Sequence, residues 1–542
     1  MRTAASPATT LTDEQPLPLF RIGGSGNGRR PIAVIGGGLI LDVGEAERTF
    51  IYRCQDRFLA YSSLWGLRSI FFAASDAHVE IYRRHVARQR NLYDRIRART
   101  GLLAARPLNE PLYVGCNIDR LRLFACAGFA AQWREEGTPT AILLNQLSPT
   151  YAALLGQLAA LLRRHGMAAE LALDEAAALG SLARQCADKA DYLVAVGAGS
   201  GLPAHVPTAL IASAELEALA GYDALVSIYR DRAKGAPAAP DRLFVKATLN
   251  SGGNLAAAVD RSNFTAGMQK LRDVLVAEAA QGGQGLERKT AELRQEIVDA
   301  PCLRAVPLAE EQLRLCKLEQ AGRRHHVDFL VQAEVRRRDD DDAFAGIGLS
   351  YVIGADGSVT PLGATGQVYR DPDHKHFLGS FLSDQVSRDM PPSFHREMSA
   401  LCRLYHARGY RGPISFDARR DDDGRYRLIY DCNPRLTGVF PSLAVRDALA
   451  LSGVPVRSVL SLGYRGEFVM PELDMALERL DEAGLLCTLG RGRGAVLLPN
   501  LSRQDGFDLH FVNVGMHEID RLFTATVERL SAVAAVPHRL HY

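Results

Sequence analysis

R-G-P-I-S-F-D-A-R-R-D-D-D-G-R-Y-R-L-I-Y-D-C-N-P-R-L-T-G-V-F-P, residues 411–441, is the stretch on which the reading of this chain turns. Ile414, Phe416 and Ala418 alternate with polar neighbours, Asp422, Asp423 and Gly424 make a turn, and Tyr426, Leu428 and Tyr430 lead to Asp431. Alternation on both sides of a glycine-containing turn predicts a β-hairpin. Asp417 and Asp431 then lie near each other on adjacent strands, and the two-residue period puts Asn433 on the face of Asp431. Two carboxylates and an amide oxygen make an all-oxygen site, which suits Mg²⁺ better than zinc. Arg435, two residues further, adds positive charge to that face and suits a phosphate or carboxylate oxygen. Cys432 points by the same alternation to the opposite face and is read as core. The competing reading is a solvated surface hairpin. It fits the acidic run 421–423 better than Asp417, which sits between Phe416 and Ala418 in an apolar strand.

The rest of the composition sets bounds. At 542 residues the chain has material for three or four domains. Hydrophobic content of 47%, charged content of 23% and a net charge of +2 are ordinary for a globular protein, and nothing in the balance demands nucleic acid or an anionic membrane. No apolar run approaches the roughly 20 residues of a membrane helix. The first sixteen residues carry acids and no apolar core, so they are not read as a secretory signal. Nine dispersed cysteines without a C-x-x-C pair argue for reduced thiols, and a cytoplasmic location is expected.

Outward from the hairpin, the chain divides. Residues 1–30 are rich in Pro, Gly and Ser and read as a tail. Residues 31–200 alternate short apolar strands (32–36, 112–114, 140–144, 192–196) with helical patterns (59–67, 78–100 and a helix through Leu154, Leu158, Leu161 and Leu162), which predicts an α/β layer domain. Gly36–Gly38 lack the G-x-G-x-x-G spacing of a dinucleotide loop. In L-F-V-K-A-T-L-N-S-G-G-N, residues 243–254, a strand carrying Lys246 precedes a small-residue loop. Such a loop can lay backbone N–H groups against phosphate oxygens, although a lysine before a glycine pair is also common at a plain strand edge. Residues 265–325 read mainly as helices. They are followed by a strand, V-D-F-L-V-Q-A-E-V, at 327–335, a hairpin turning at 355–357, and a polar loop holding Arg370, His374 and His376. A helix at 392–408 leads into the opening stretch, another follows at 444–451, and strands near 495–498 and 509–514 belong to a small C-terminal α/β unit, 451–542.

The order of these pieces resembles the ATP-grasp superfamily: strand, lysine and glycine loop, helical insert, strand V-D-F-L-V-Q-A-E-V, then Asp417 and the D-x-N-x-R of Asp431, Asn433 and Arg435. Within it the chain resembles the pheganomycin-type peptide ligases. The resemblance implies a mixed α/β (α+β) fold: a Rossmann-like pre-ATP-grasp domain at 31–200, an ATP-grasp core of two α+β subdomains at 201–450, and the C-terminal domain. It implies that Lys246 holds the α- and β-phosphates and that Ser251, Gly252 and Gly253 form the mobile loop over them. Residues Val331 to Val335 match the adenine hinge, with Gln332 facing the exocyclic amine and Ala333, Glu334 and Val335 lining it. Asp417, Asp431 and Asn433 match the magnesium ligands, and Arg435 the arginine of the family's N-P-R. Asp431 stands where the family usually has Glu. No counterpart of a second, upstream lysine is found at 205–225, and the ribose-binding acid after the hinge is not assigned.

The implied activity is ATP-dependent carboxylate–amine ligation through an acyl phosphate, with ATP and Mg²⁺ (Mn²⁺ able to substitute) as cofactors. Expected partners are small carboxylate and amine substrates, amino acids or peptides, in specialised-metabolite biosynthesis, with no nucleic acid, no membrane and a possible homodimer. Arg370, His374 and His376 are the candidate substrate-binding cations, with Arg370, Lys246 and Arg435 also read as catalytic. Other ATP-grasp chemistry, kinase or carboxylase-like, and a degenerate nucleotide-binding regulatory module remain the alternatives.

Overall fold

In the computed structural model the described residues are 32–34, 59–65, 68–73, 76–103, 107–117, 120–123, 140–144, 169–171, 189–196, 202, 204–233, 235–236, 240–248, 256–273, 328–333, 344, 346–354, 356–369, 377–388, 390–420, 425–467, 470–500 and 506–531. They form a mixed α/β fold with three sheets.

The first sheet holds β1 (Ile32–Val34), β2 (Arg68–Ala73), β3 (Leu112–Asn117), β4 (Arg120–Leu123), β5 (Thr140–Leu144) and β6 (Ala169–Leu171), in the order β4-β3-β2-β1-β5-β6. All neighbours are parallel except β3 and β4. The chain winds to one side of β1 and then to the other, which is the doubly wound arrangement the alternating pattern predicts. The helix α1 (Leu59–Leu64) and the long α2 (Asp76–Thr100) match the helical patterns at 59–67 and 78–100. The apolar run at 192–196, read as a strand, is instead the end of helix α3 (Lys189–Val196). A short apolar run has no period that separates a strand from a buried helix, and tertiary contacts decide. The helix read through Leu154–Leu162 and residues 274–325 of the helical region 265–325 lie outside the described residues.

The second sheet is antiparallel, β7-β10-β8-β9, from β7 (Thr208–Ala212), β8 (Leu243–Ala247), β9 (Ala256–Val259) and β10 (Asp328–Ala333). Helices α4 (Ser213–Glu217) and α5 (Tyr222–Arg232) cover one face, burying Ile211, Val245, Val259, Phe329 and Val331 with Leu225 and Tyr229.

The third sheet has eight strands in the order β15-β14-β11-β12-β13-β16-β18-β17. They are β11 (Gly346–Ile353), β12 (Val359–Tyr369), β13 (Phe377–Ser383), β14 (Gly412–Arg420), β15 (Tyr426–Asn433), β16 (Ser458–Glu467), β17 (Gly494–Asn500) and β18 (Gly506–Val512). Both predicted hairpins are present: β11–β12, with Gly357 in the left-handed region (φ 79°) that its turn requires, and β14–β15. The strands after residue 451 continue the same sheet as those before it. Helices α6 (Asp384–Arg388) and α7 (Pro392–Ala407) come before β14. Helices α8 (Phe440–Leu451), α9 (Met470–Glu482) and α10 (Met516–Ser531) complete the set.

Alternation along β17 and β18 feeds two cores. Val496, Leu498 and Val512 join α1 and α8 on one face, and Leu497, Leu509 and Phe511 join α9 and α10 on the other. Helix α2 contributes Val86 and Tyr93 to the first core and Leu92 and Ile96 to the second, so it covers the edge strand β17. On the first face, Trp65 stands edge-on to Phe440 at 4.5 Å, a contact worth about 1 kcal/mol beyond burial, and donates Nε1–H to Asp447 at 2.9 Å.

Candidate active site

The face of the second sheet opposite α4 and α5 looks toward the first face of the third. In β8, Leu243, Val245 and Ala247 are buried under the helices, while Phe244 and Lys246 alternate to the other side and are half-buried. Lys246 pairs with Leu330 and Ala256, and Phe244 with Gln332 and Ala258. With Leu210 of β7, these residues make a largely apolar surface with a cation at one end. The segment 204–206 ties the two sheets: Leu428 N–H donates to the Ala204 carbonyl and Val206 N–H to the Leu428 carbonyl, each at 2.9 Å. Helix α3 starts in the same gap, its Lys189 N–H donating to the Thr248 carbonyl at 3.0 Å.

Across the gap, the β14–β15 ladder shifts register between Phe416 and Ala418, so Asp417 occupies an irregular position. A bulge re-aims a side chain out of the regular pleat, and Asp417 accepts from Gln367 Nε2 at 3.3 Å. Gly348 faces Asp417 on β11. A Cβ there would lie 2.8 Å from Thr365 Oγ1 and 4.0 Å from an Asp417 oxygen, so the bare backbone keeps the floor beside the carboxylate open. Asp431 meets Lys189 Nζ at 3.4 Å. Asn433 Nδ2 lies 3.4 Å from Asp431, and Arg435 donates to Asn433 Oδ1 at 2.6 Å. Phe416 and Cys432 face the other way, into the core, as the alternation predicts.

Burial, and then the Lys189 charge, pull the Lys246 ammonium down to about 8, against the opposing fields of Asp431 and Asp417. Burial, and then the Asp431 charge, hold Asp417 well above the usual carboxylate range, with Lys246, Lys189 and Arg419 opposing. Two lysines and two acids, from both sheets and from helix α3, therefore share one low-dielectric gap. Asp417, Asp431 and the Asn433 amide are hard oxygen donors of the kind that fits Mg²⁺, and in this structure the Asn433 oxygen accepts from Arg435 while Asp431 pairs with Lys189.

Lys246, Asp417, Asp431, Asn433 and Arg435 are thus brought together. Gln332 is 5% exposed, and its Nε2 donates to Thr208 Oγ1 at 2.9 Å, while Ala333 ends β10. Ser251, Gly252, Gly253, Glu334, Val335, Arg370, His374 and His376 lie outside the described residues. Sequence reasoning missed Lys189 and Gln367. A signal for the first exists: only seven of the 64 basic residues are lysine, at 189, 234, 246, 270, 289, 317 and 375. Lysine carries a compact point charge where arginine carries a planar fork, and two of these seven, Lys189 and Lys246, meet here.

Beside the centre a recess opens between β11, β14 and α8, with Trp65, Leu362, Phe440 and Leu443 as apolar walls and Ser350, Ser415, Arg435 and Thr437 as polar lining.

No family model and no curated protein sequence matches the chain. Among solved structures it is similar to N5-carboxyaminoimidazole synthetase from Staphylococcus aureus (9% identity, 93% of this chain and 99% of that one, TM-score 0.42). It is also similar to biotin carboxylase from Campylobacter jejuni (11%, 81% and 76%, TM-score 0.37) and to the D-cycloserine synthetase DcsG (17%, 57% and 82%, TM-score 0.30). Among the described residues no helix is long and apolar enough to cross a membrane.

Proposed function

We propose that the chain is an ATP-grasp carboxylate–amine ligase that forms an amide from an amino acid or peptide acid through an acyl phosphate. The observation that carries this reading is the convergence, from two sheets across one cleft, of Lys246 and Lys189 with Asp417, Asp431, Asn433 and Arg435. The apolar face of the second sheet offers a flat surface for adenine, and the lysine at its end suits phosphate oxygens. Asp417, Asp431 and Asn433 would hold Mg²⁺, which would supply charge neutralisation for phosphoryl transfer.

In the first step a carboxylate oxygen of the acid bonds to the γ-phosphorus and the bond to the β-bridging oxygen breaks, leaving ADP. In the second, the amine nitrogen bonds to the acyl carbon, inorganic phosphate leaves and the nitrogen loses a proton. The protein's part is positioning and charge: Lys246 and Lys189 on phosphate oxygens and Arg435 on the acid. One fixed donor of this kind is worth roughly 3 kcal/mol. Closing the cleft would keep water from the acyl phosphate. The N-terminal sheet is then the pre-ATP-grasp domain of a pheganomycin-type arrangement.

The test is ADP release from MgATP over a panel of amino-acid pairs, with mass spectrometry of products and Lys246→Ala and Asp431→Asn in parallel. A dipeptide-mass product formed with ADP, at least a hundredfold slower in both variants, is expected. A phosphorylated or carboxylated product, or tight nucleotide binding without turnover by any pair, would overturn the ligase reading.

A further inference from the structure

Two cations of the cleft already have acceptors: Lys189 Nζ meets Asp431, and Arg435 donates to Asn433. Arg419 does not. Phe416 and Ala418 of β14 are buried on the side of α7, where the rings of Phe416 and Tyr405 lie 6.0 Å apart. Alternation turns Asp417 and Arg419 to the cleft, and the Arg419 charge reaches both Lys246 and Asp417. Arg419 is half-buried, and among the described residues its guanidinium makes no hydrogen bond and no ion pair. Its ladder partners are Arg427 on one side and Gly346, which has no side chain, on the other. Like charges directly opposite on a sheet are destabilising, and arginine keeps its proton. The sheet therefore holds a guanidinium at the cleft without an acceptor of its own.

The ties between the two sheets give the cleft a direction. Val206, bonded to Leu428, accepts from Thr208 Oγ1 at 2.7 Å, and Thr208 accepts in turn from Gln332. Gln332 and its partner Phe244 thus lie at the end where Leu428 and its neighbour Arg427 stand. Lys189, on the Thr248 carbonyl and the Asp431 carboxylate, marks the other end. Going from that end toward Gln332, β14 presents Asp417 and then, roughly 7 Å further along the strand, Arg419.

We propose that Arg419 is the cation for the phosphate group nearest the ribose. The inference rests on the nucleotide part of the ligase reading, in which the base lies against Phe244 beside Gln332 and the reacting phosphate lies by the two acids. The first phosphate of the chain between them passes Arg419, whose planar fork takes two of its oxygens at once. A phosphate held there also offsets the repulsion between Arg419 and Arg427.

Competition against a fluorescent ATP analogue tests this on the full chain, in chelator, so that only protein cations are read. The competitors are adenosine, AMP and ADP, and the proteins are the wild type, Arg419→Met and Arg419→Lys. In the wild type the step from adenosine to AMP is expected to tighten binding tenfold or more. Arg419→Met should cut that step at least fivefold and leave adenosine unchanged, with Arg419→Lys between the two. The nucleotide-free melting temperature of Arg419→Met should be equal to that of the wild type or higher, since a repulsion is relieved. An intact step in Arg419→Met, an equal loss for adenosine and AMP (the arginine on the base), or no step in the wild type would overturn the assignment. Failure of any nucleotide to bind would overturn it together with the ligase reading. Otherwise the two fail separately. The expected steps with no ligated product under MgATP keep Arg419 and sink the ligase, while ligation with an unchanged step in Arg419→Met does the reverse.

Discussion

The first face of the eight-stranded sheet carries two polar clusters, and they are built on opposite rules. At the β15 end, Asp417, Asp431, Lys189 and Lys246 crowd into a gap where burial, and then like charge, shift Lys246 down and Asp417 up. At the β18 end, a chain of hydrogen bonds lies sealed under α1 and α8. Ser442 Oγ donates to Ser461 Oγ at 2.6 Å, Ser461 Oγ lies 2.8 Å from His510 Nδ1, and His510 Nε2 lies 2.9 Å from the Tyr61 hydroxyl. That hydroxyl donates to Asp508 Oδ2 at 2.8 Å. One direction of donation satisfies the whole chain: Tyr61 spends its proton on Asp508, so His510 carries its proton on Nε2 and accepts at Nδ1. Every member is at most 9% exposed. A buried polar network whose members are all paired fixes one arrangement of its elements, here the seating of α1 against the C-terminal strands. The cleft, by contrast, holds charges that its own residues leave imperfectly matched, as a site awaiting a charged ligand requires.

The largest effect that can break this comparison is on stability. His510→Ala removes the hub between Tyr61 and Ser461 and leaves a void beside the Tyr61 ring, so a loss of about 3 kcal/mol is expected. The denaturant midpoint would read it, with nucleotide affinity measured alongside. A change below about 0.5 kcal/mol joined to lost turnover would instead assign the sealed cluster to the chemistry.

A second variant moves stability the other way. Burial, and then the Asp431 charge, raise the folded-state pKa of Asp417 from the ordinary 3.8 to about 7. Between those values the folded protein binds more protons at this group than the unfolded chain does. Its contribution therefore falls as pH rises through that window. In metal-free protein, Asp417→Asn removes this slope and is expected to be the more stable form at pH 7.5, by about 2 kcal/mol, while losing the Mg²⁺-dependent rise of the wild-type midpoint. Denaturant midpoints from pH 4 to 8 in chelator, repeated with Mg²⁺, decide it. A destabilised Asn variant would mean that the cleft is as well matched as the sealed cluster.

These clusters were unequally legible in the sequence. The hairpin announced itself because β14 and β15 alternate about a glycine turn, and that alternation placed Asp431 and Asn433 together and Cys432 in the core. The register shift at Asp417 left no mark in the pattern, since a bulge is settled by the partner strand. Lys189 was hidden for a different reason. It opens a helix whose apolar run at 192–196 reads equally well as a strand, and only the seat of α3 between β10 and β15 decides. The sealed cluster was invisible. Tyr61 and His510 lie 449 positions apart, and no periodicity links a helix near the start of a chain to a strand near its end. The serines of the recess share that fate: Ser350 and Ser415 become neighbours only through the β11–β14 register.

The smallest effect sharpens the comparison with a third polar group, one that faces water. Glu215 at the start of α4 accepts from Arg232 at 2.5 and 2.9 Å and from the Ala212 N–H at 3.2 Å. The Arg232 hydrogen bond, then the backbone bond, lower its pKa from 4.5 to about 2. The folded state holds the carboxylate charged, so the contribution is present above pH 4.5 and fades as pH falls toward 2. The pair is 41% and 43% exposed, so solvent and salt screen it. Glu215→Gln is expected to cost less than about 1 kcal/mol at pH 7 and nothing near pH 2. Midpoints at the two pH values, with and without 0.5 M salt, measure it. A cost above that bound, indifferent to salt, would show that exposure is not what separates the weak polar pairs of this molecule from the strong ones.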